Sequence, residues 1–135
     1  MHTPLLLTNS TVSMTKIKDS SSHHENKNQL ESNCAEIYAI NLLRGQWVLS
    51  ICYHLRGKKL RFSDLKDRIG QISDRMLTLQ LKAMEKNRLI ERHVFAEVPP
   101  RVEYSLSEIA QKMLPVLDEL ENWGKLHKAY IVESK

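Results

Sequence analysis

The hydrophobic and polar positions of the chain predict five helices and two strands after residue 34. Over residues 46–55, apolar side chains recur every three or four positions, which is the spacing of one helix face. Phe62, Leu65 and Ile69 repeat this spacing in the next helix, and Gly70 suits its C-terminal end. Helices are therefore expected over residues 35–43, 46–55, 62–69, 74–86 and 108–130.

Two short strands are expected between the fourth and fifth helices. Residues 88–95 form the first strand, and residues 102–106 (VEYSL) alternate apolar and polar side chains, the period of a strand with one buried face. The connecting loop contains Pro99 and Pro100, whose fixed φ angles make it stiff. Helix, helix, turn, helix and hairpin in this order predict a mainly α fold with a small β-hairpin, the winged helix–turn–helix, in which the hairpin is the wing.

The two ends of the chain differ in character. Residues 1–33 are rich in Ser, Asn, Lys and His and have little apolar surface to bury, so we expect a disordered polar tail. The folded domain is expected over residues 34–124, and residues 125–135 complete the last helix and its tail. Pro115 lies inside that helix and is expected to kink it, because its ring removes a helical hydrogen-bond donor.

The composition argues against several classes of protein. No run of about 18 apolar residues exists, so no membrane-spanning helix is expected, and the first ten residues do not resemble a signal peptide. Cys34 and Cys52 make neither a disulfide framework nor a metal-binding set, and free thiols fit a reducing cytoplasm. Without a phosphate-binding loop or a nucleophile paired with a base, we expect no enzyme and no cofactor. Translation starts at either Met1 or Met14.

The positive charge is concentrated in the central part of the chain. The net charge is +4, yet residues 34–106 hold thirteen Lys and Arg against eight Asp and Glu. Aromatic residues are few, so stacking on the bases of single-stranded nucleic acid is a poor fit. A basic segment that contains a helix–turn–helix pattern indicates double-stranded DNA as the partner.

The fourth helix, residues 74–86, carries the candidate DNA-binding surface. On a wheel of about 100° per residue, its core face is formed by Leu77, Leu81 and Met84, with Met76, Gln80 and Ala83 on one flank. The opposite face is basic and nearly free of acids, and it consists of Arg75, Thr78, Leu79, Lys82 and Lys86. Arg and Lys bind guanine edges or phosphates, Thr binds a base or a phosphate, and Leu contacts the methyl group of thymine.

Three further residues are candidates for DNA contact. Ser73 stands at the N-terminus of the fourth helix, where it is suited to cap it. Arg61, at the start of the third helix, is placed for a phosphate. Arg101 closes the wing loop (residues 95–101), where it either contacts the minor groove or a phosphate, or forms an ion pair with Glu97 or Glu103.

A second function remains open for the same surface. A winged helix can also serve protein–protein association, with its basic face docked on an acidic partner. That version should expose more apolar residues on the outer face of the fourth helix than the single Leu79. His54 and His93 are expected to be structural or surface residues, because neither lies at a spacing typical of a catalytic or metal site.

Several segments resemble the HxlR family of bacterial transcription regulators, which are relatives of the MarR type. In chain order they are RGQW at 44–47, LRFSDLKDRIGQIS at 60–73, MLTLQL at 76–81, VPPRVEYSLSE at 98–108 and LPVLDELENWG at 114–124. The resemblance implies a winged-helix homodimer in which the first and last helices build the dimer interface, and we expect it to act as a repressor in the cytoplasm. Two recognition helices would then bind a palindromic operator. The chain departs from the family at Leu79, where a polar residue is common.

Cys34 is the candidate for regulation. It lies where the polar tail meets the first helix, and the positive end of a helix favours the reactive thiolate form. Several regulators that resemble this chain sense electrophiles or oxidants through a cysteine at this position, although the family often has Cys-Pro where this chain has Cys34-Ala35. Cys34 is therefore either a sensor that forms an intersubunit disulfide or an adduct, or a structural thiol. Cys52 is expected in the core.

Overall fold

The computed structural model describes residues 33–134, and the chain divides into two units between Leu43 and Arg44. The predicted tail therefore lies outside the described residues, apart from Asn33. The first unit contains α1 (Ala35–Leu43). The second contains, in chain order, α2 (Val48–Leu55), β1 (Leu60–Arg61), α3 (Phe62–Ile69), α4 (Asp74–Lys86), β2 (Ile90–Phe95), β3 (Arg101–Leu106) and α5 (Glu108–Glu133). Apart from β1, these elements have the type and the order that the sequence predicts.

The sheet has three strands, and the sequence predicted only two. β1 pairs with β3 and β3 pairs with β2, both antiparallel, so the strand order is β1-β3-β2. In β1, Leu60 pairs with Tyr104 and Arg61 pairs with Glu103. β1 was not predicted, because two residues are too few to show the alternation that identifies a strand.

The wing, defined here as β2, β3 and the loop of residues 96–100, has two different faces. Directly paired residues of antiparallel strands lie on the same face of a sheet. The inner face carries Ile90, Arg92 and Val94 of β2 and, paired with them, Leu106, Tyr104 and Val102 of β3. The outer face carries Glu91, His93 and Phe95 of β2 and, paired with them, Ser105, Glu103 and Arg101 of β3. On the outer face, His93 Nε2 lies 2.9 Å from Ser105 Oγ.

The core is built from α2, α3 and α4. Its most deeply buried side chains are Ile51, Cys52, Leu55, Leu65, Leu77 and Met84. The prediction that Cys52 belongs to the core is confirmed, and burial raises the pKa of its thiol to about 11. The thiol therefore stays protonated at neutral pH, where it packs as a small apolar group.

The turn between α3 and α4 is closed by local polar contacts. α3 ends at Ile69 and is followed by Gly70, whose φ of +90° lies in the region that favours glycine. Ser73 Oγ accepts a hydrogen bond of 3.0 Å from the backbone N–H of Met76, as its position before α4 predicts. Lys66 of α3 and Asp74 of α4 form an ion pair with an Nζ–Oδ1 distance of 2.7 Å. Both side chains are exposed, so the pair contributes only about 0–1 kcal/mol, but it links the two helices at their junction.

The last helix, α5, is long and mostly exposed. It begins after Ser107, whose hydroxyl accepts from the backbone N–H of Ala110 at 3.2 Å and donates to the carbonyl oxygen of Arg88 at 2.7 Å. It continues through Pro115 as one helix and reaches Glu133, beyond the predicted end near residue 130. None of the helices described between residues 33 and 134 combines the length and apolar character that crossing a bilayer requires.

Candidate nucleic-acid interface

The candidate recognition helix, α4, presents the two faces that its sequence predicts. Leu77, Leu81 and Met84 are at most 2% exposed and anchor the helix to the core. The opposite side chains all lie at the surface, and they are Arg75, Thr78, Leu79, Lys82 and Lys86. Leu79 is 50% exposed, so its apolar side chain is available for contact at the surface of α4.

One detail of the predicted core face was wrong. Met76 and Ala83, expected to extend that face, are exposed, while Gln80 is half-buried. The wheel assigns an angle around the helix, but burial also needs a neighbouring element on that side, and the sequence does not show where the neighbours end. The buried stripe of α4 is consequently narrower than the apolar arc.

The outer face of α4 carries uncompensated positive charge. Among residues 33–134, Arg75, Lys82 and Lys86 have no ion-pair partner within 4.0 Å, whereas the acidic Asp74 is already paired with Lys66. The other acid of the helix, Glu85, lies on the flank beside Thr78. A solvated helix usually interleaves both signs of charge, so this surface has the character of a binding site for a polyanion.

The wing loop is held by Arg101. Its guanidinium donates to Glu97 Oε2 at 2.8 Å and to Glu103 Oε2 at 2.6 Å, and it stacks over the ring of Phe95 with a distance of 4.0 Å to the centroid. The hydrogen bond that Arg101 donates to Glu97 is the main cause that raises the pKa of Arg101. Of the two roles considered for Arg101, the structure shows the ion pairs, and with both carboxylates. They join the two ends of the loop across the outer face of the wing.

The remaining predicted DNA contacts do not all lie on one surface. Ser73 is at the N-terminus of α4, next to the basic face, but its hydroxyl is engaged in capping the helix. Arg61 pairs with Glu103 in the sheet, so it lies on the outer-face side of the pleat, and its backbone N–H donates to Asp64 Oδ2 at 3.2 Å. The structure thus brings together Arg75, Thr78, Leu79 and Lys82, and it places Arg61 and Arg101 on the other side of the sheet.

A crevice separates α4 from the inner face of the wing. It has a volume of about 310 Å³, and its polar lining consists of Thr78, Lys82 and Glu85 from α4 and Arg92 and Tyr104 from the wing. Sequence reasoning did not single out Arg92. The alternation along β2 would have identified it, because Arg92 lies on the same face of the strand as Ile90 and Val94 and is the charged residue of that face.

Cys34, the predicted regulatory residue, belongs to the first unit and directly precedes α1. It is half-buried, and its carbonyl oxygen accepts a hydrogen bond of 3.2 Å from the backbone N–H of Tyr38. The pKa of Glu36 is lowered mainly by a hydrogen bond from its own backbone N–H and secondly by one from the Cys34 thiol. The thiol of this half-buried residue thus acts as a hydrogen-bond donor to the Glu36 carboxylate. Within residues 33–134, no cluster of three or more His, Cys, Asp or Glu side chains could hold a metal ion.

Comparison with known proteins identifies relatives over most of this region. Residues 42–131 match the model of the HxlR-like helix-turn-helix family. The chain is 42% identical over 97 residues to an "Uncharacterized HTH-type transcriptional regulator" of Methanothermobacter thermautotrophicus, which covers 72% of this chain and 74% of the relative. A similar solved structure is the redox regulator HypR in its oxidized form, with 34% identity, a TM-score of 0.63 and coverage of 68% of this chain and 95% of HypR. The reduced form of the transcriptional regulator YodB from B. subtilis is 33% identical, with a TM-score of 0.62 and coverage of 67% and 89%.

Proposed function

Because this chain belongs to the HxlR-like helix-turn-helix family of transcriptional regulators, we propose that it is a cytoplasmic repressor that binds a palindromic operator in duplex DNA as a homodimer. The observation that carries this proposal is the outer face of α4, where three cations without an ion-pair partner among residues 33–134 surround Thr78 and Leu79. A polyanion with apolar groups in its groove, such as duplex DNA, is complementary to this surface.

The dimensions of duplex DNA assign roles to the parts of this surface. The major groove is about 12 Å wide and admits an α-helix, so α4 enters it with its outer face toward the bases. Arg75 and Lys82 then bind guanine edges or phosphates, Thr78 bonds to a base or a phosphate, and Leu79 contacts a thymine methyl group. The wing follows α4 in the chain after a short connection, and in our proposal it reaches the adjacent minor groove.

The homodimer is supported by the apolar stripe on α5. Val116, Leu120, Trp123 and Tyr130 recur at helical spacing and are each between 52% and 67% exposed. Large exposed apolar patches of this kind mark interaction sites, since leaving them in water is unfavourable. A second copy of the chain covers the stripe in our proposal, which brings two α4 helices to one duplex. In its own unit, α1 likewise exposes Tyr38 and Ile40.

The proposed function predicts a symmetric DNA site. Wild-type protein that selects duplexes from a random-sequence pool is expected to enrich a two-fold symmetric sequence with half-sites about 10–10.5 base pairs apart, or a multiple of that spacing. Two copies per duplex should be found by mass measurement of the complex. Enrichment of an asymmetric site by one copy would contradict the dimer, and no enrichment at all would contradict sequence-specific binding.

We also propose that thiol chemistry at Cys34 controls DNA binding. Two features of the first unit support this: Cys34 is partly accessible, and it stands at the start of α1. The structural relative HypR is a redox regulator by its description, and this chain is similar to both its oxidized and its reduced form. Cys52 is not a candidate, because it is fully buried and its pKa is raised.

A diamide experiment tests Cys34. Two Cys34 thiols of a dimer are expected to form a disulfide, losing two protons and two electrons to the N=N bond of diamide, which becomes a hydrazine. A non-reducing gel should show the linked dimer, and operator affinity should change by about 5- to 150-fold, the usual size of coupling between sites. Cys34→Ser should show neither effect, while Cys52→Ala keeps both. Unchanged mobility and affinity of the wild type after diamide would exclude the sensor.

A further inference from the structure

We propose that the crevice between α4 and the wing binds a phosphate of the DNA backbone, and that Arg92 and Lys82 are the cations that hold it. This inference rests on the proposed function and adds to it a specific ligand group and a residue, Arg92, outside the recognition helix. According to this proposal, Arg92 and not Arg101 is the residue through which the wing contributes to DNA affinity.

The geometry of the duplex places a phosphate at this crevice. The major and minor grooves are separated by a sugar–phosphate strand, so a helix in one groove and a hairpin in the next must straddle that strand. The gap between α4 and the wing is where the strand passes. In this chain the gap is an open crevice of about 310 Å³, with hydroxyl groups of Thr78 and Tyr104 and the charges of Lys82 and Arg92 on its walls.

The register of the sheet explains why Arg92 faces the crevice and Arg101 does not. Arg92 pairs with Tyr104 on the inner face, whereas Arg101 pairs with Phe95 on the outer face. Arg101 is also compensated, since its guanidinium already binds two carboxylates. Arg92 is exposed, and among residues 33–134 it has no acidic partner within 4.0 Å. Its charge is available for a ligand, and a guanidinium is well suited to bind a phosphate through two hydrogen bonds.

One acidic group in the crevice repels a bound phosphate. Glu85 lines the same crevice, and its carboxylate reduces the attraction that the two cations exert on an anion. The net charge of the crevice is still positive, because the two cations Lys82 and Arg92 outnumber the single acid Glu85. Removal of the Glu85 charge should therefore strengthen DNA binding, which is the opposite of the effect expected at the two cations.

The test is the salt dependence of DNA affinity, measured by fluorescence anisotropy with the duplex that the wild type selects. Each neutralised phosphate contributes a slope of about −0.9 to the logarithm of the binding constant plotted against the logarithm of the KCl concentration. Arg92→Gln is expected to make this slope shallower by about 1 for each bound copy and to weaken binding by at least about tenfold. Glu85→Gln is expected to strengthen binding by about two- to fivefold.

Two variants serve as controls. Lys128→Gln removes one positive charge from the exposed far end of α5, and Arg101→Gln removes a charge that Glu97 and Glu103 already compensate; both should keep the wild-type slope. Circular dichroism checks that every variant is folded. If the wild type binds with a steep slope and Arg92→Gln keeps that slope, or if Arg101→Gln loses it instead, the phosphate site is wrong. If the wild type shows no salt-dependent binding, the proposed function itself fails.

Discussion

The double variant Arg75→Ala, Lys82→Ala is expected to lose about 2–6 kcal/mol of the free energy of operator binding. Removing an arginine that binds a base costs about 1–3 kcal/mol, and removing a lysine that binds a phosphate, as proposed for Lys82, costs about 1.5–3 kcal/mol. The two residues are seven positions apart on α4, which separates their backbones by about 10 Å, so their effects should nearly add. Neither side chain has an ion pair within residues 33–134 that its loss would break, so the fold should be unaffected.

A matched control separates loss of contacts from loss of charge. Lys112→Ala, Lys128→Ala also removes two positive charges, but from α5, and neither lysine has an ion-pair partner within residues 33–134. This variant should bind the operator within a few-fold of the wild type. Equal weakening by both double variants would mean that only the net charge matters, and it would contradict a reading face on α4. Binding isotherms at one fixed salt concentration give both values.

Leu77→Ala is expected to lower the free energy of unfolding by about 2–5 kcal/mol. Leu77 is 0% exposed and lies in the core beneath the outer face of α4, so its truncation removes apolar burial and leaves a cavity. A domain of this size has a total stability of about 5–15 kcal/mol, so the loss is a large part of it. Denaturant unfolding followed by circular dichroism measures the change.

Leu79→Ala is the natural partner of that experiment. The same substitution two residues further along α4 removes a side chain that is 50% exposed, and it should change the stability by no more than about 0.5 kcal/mol. Leu79→Ala should instead weaken operator binding at a thymine position. Similar losses of stability in the two variants would show that α4 does not have one buried and one exposed face.

The parts of the structure that could be predicted from the sequence are those with a strong local pattern. α2, α3 and α4 start and end within two residues of their predicted bounds, because apolar spacing, Gly70 and the Ser73 cap act within one helical turn. Leu77, Leu81 and Met84 were identified as the core face for the same reason.

The parts that were missed depend on residues far apart in the chain. β1 is a strand only because Leu60 and Arg61 find Tyr104 and Glu103 as partners. Arg92 lies opposite α4 only because of the register between β2 and β3. For Arg101, the sequence allowed either an ion pair with Glu97 or Glu103 or a contact with DNA, and only the structure shows that it pairs with both carboxylates. Pairings across the sheet decide which cation is free, and a one-residue shift in register would exchange the two faces.

The most direct test of the central claim is the affinity of the wild type for its selected duplex over a series of KCl concentrations. Our account predicts a straight line with a steep negative slope, about 0.9 for each phosphate neutralised by the two copies, and much weaker binding to a shuffled sequence. Polyglutamate of similar length should compete poorly. An affinity for the duplex that does not depend on salt, or equally tight binding to polyglutamate, would contradict a DNA-reading surface on α4 and would favour an acidic protein as the partner.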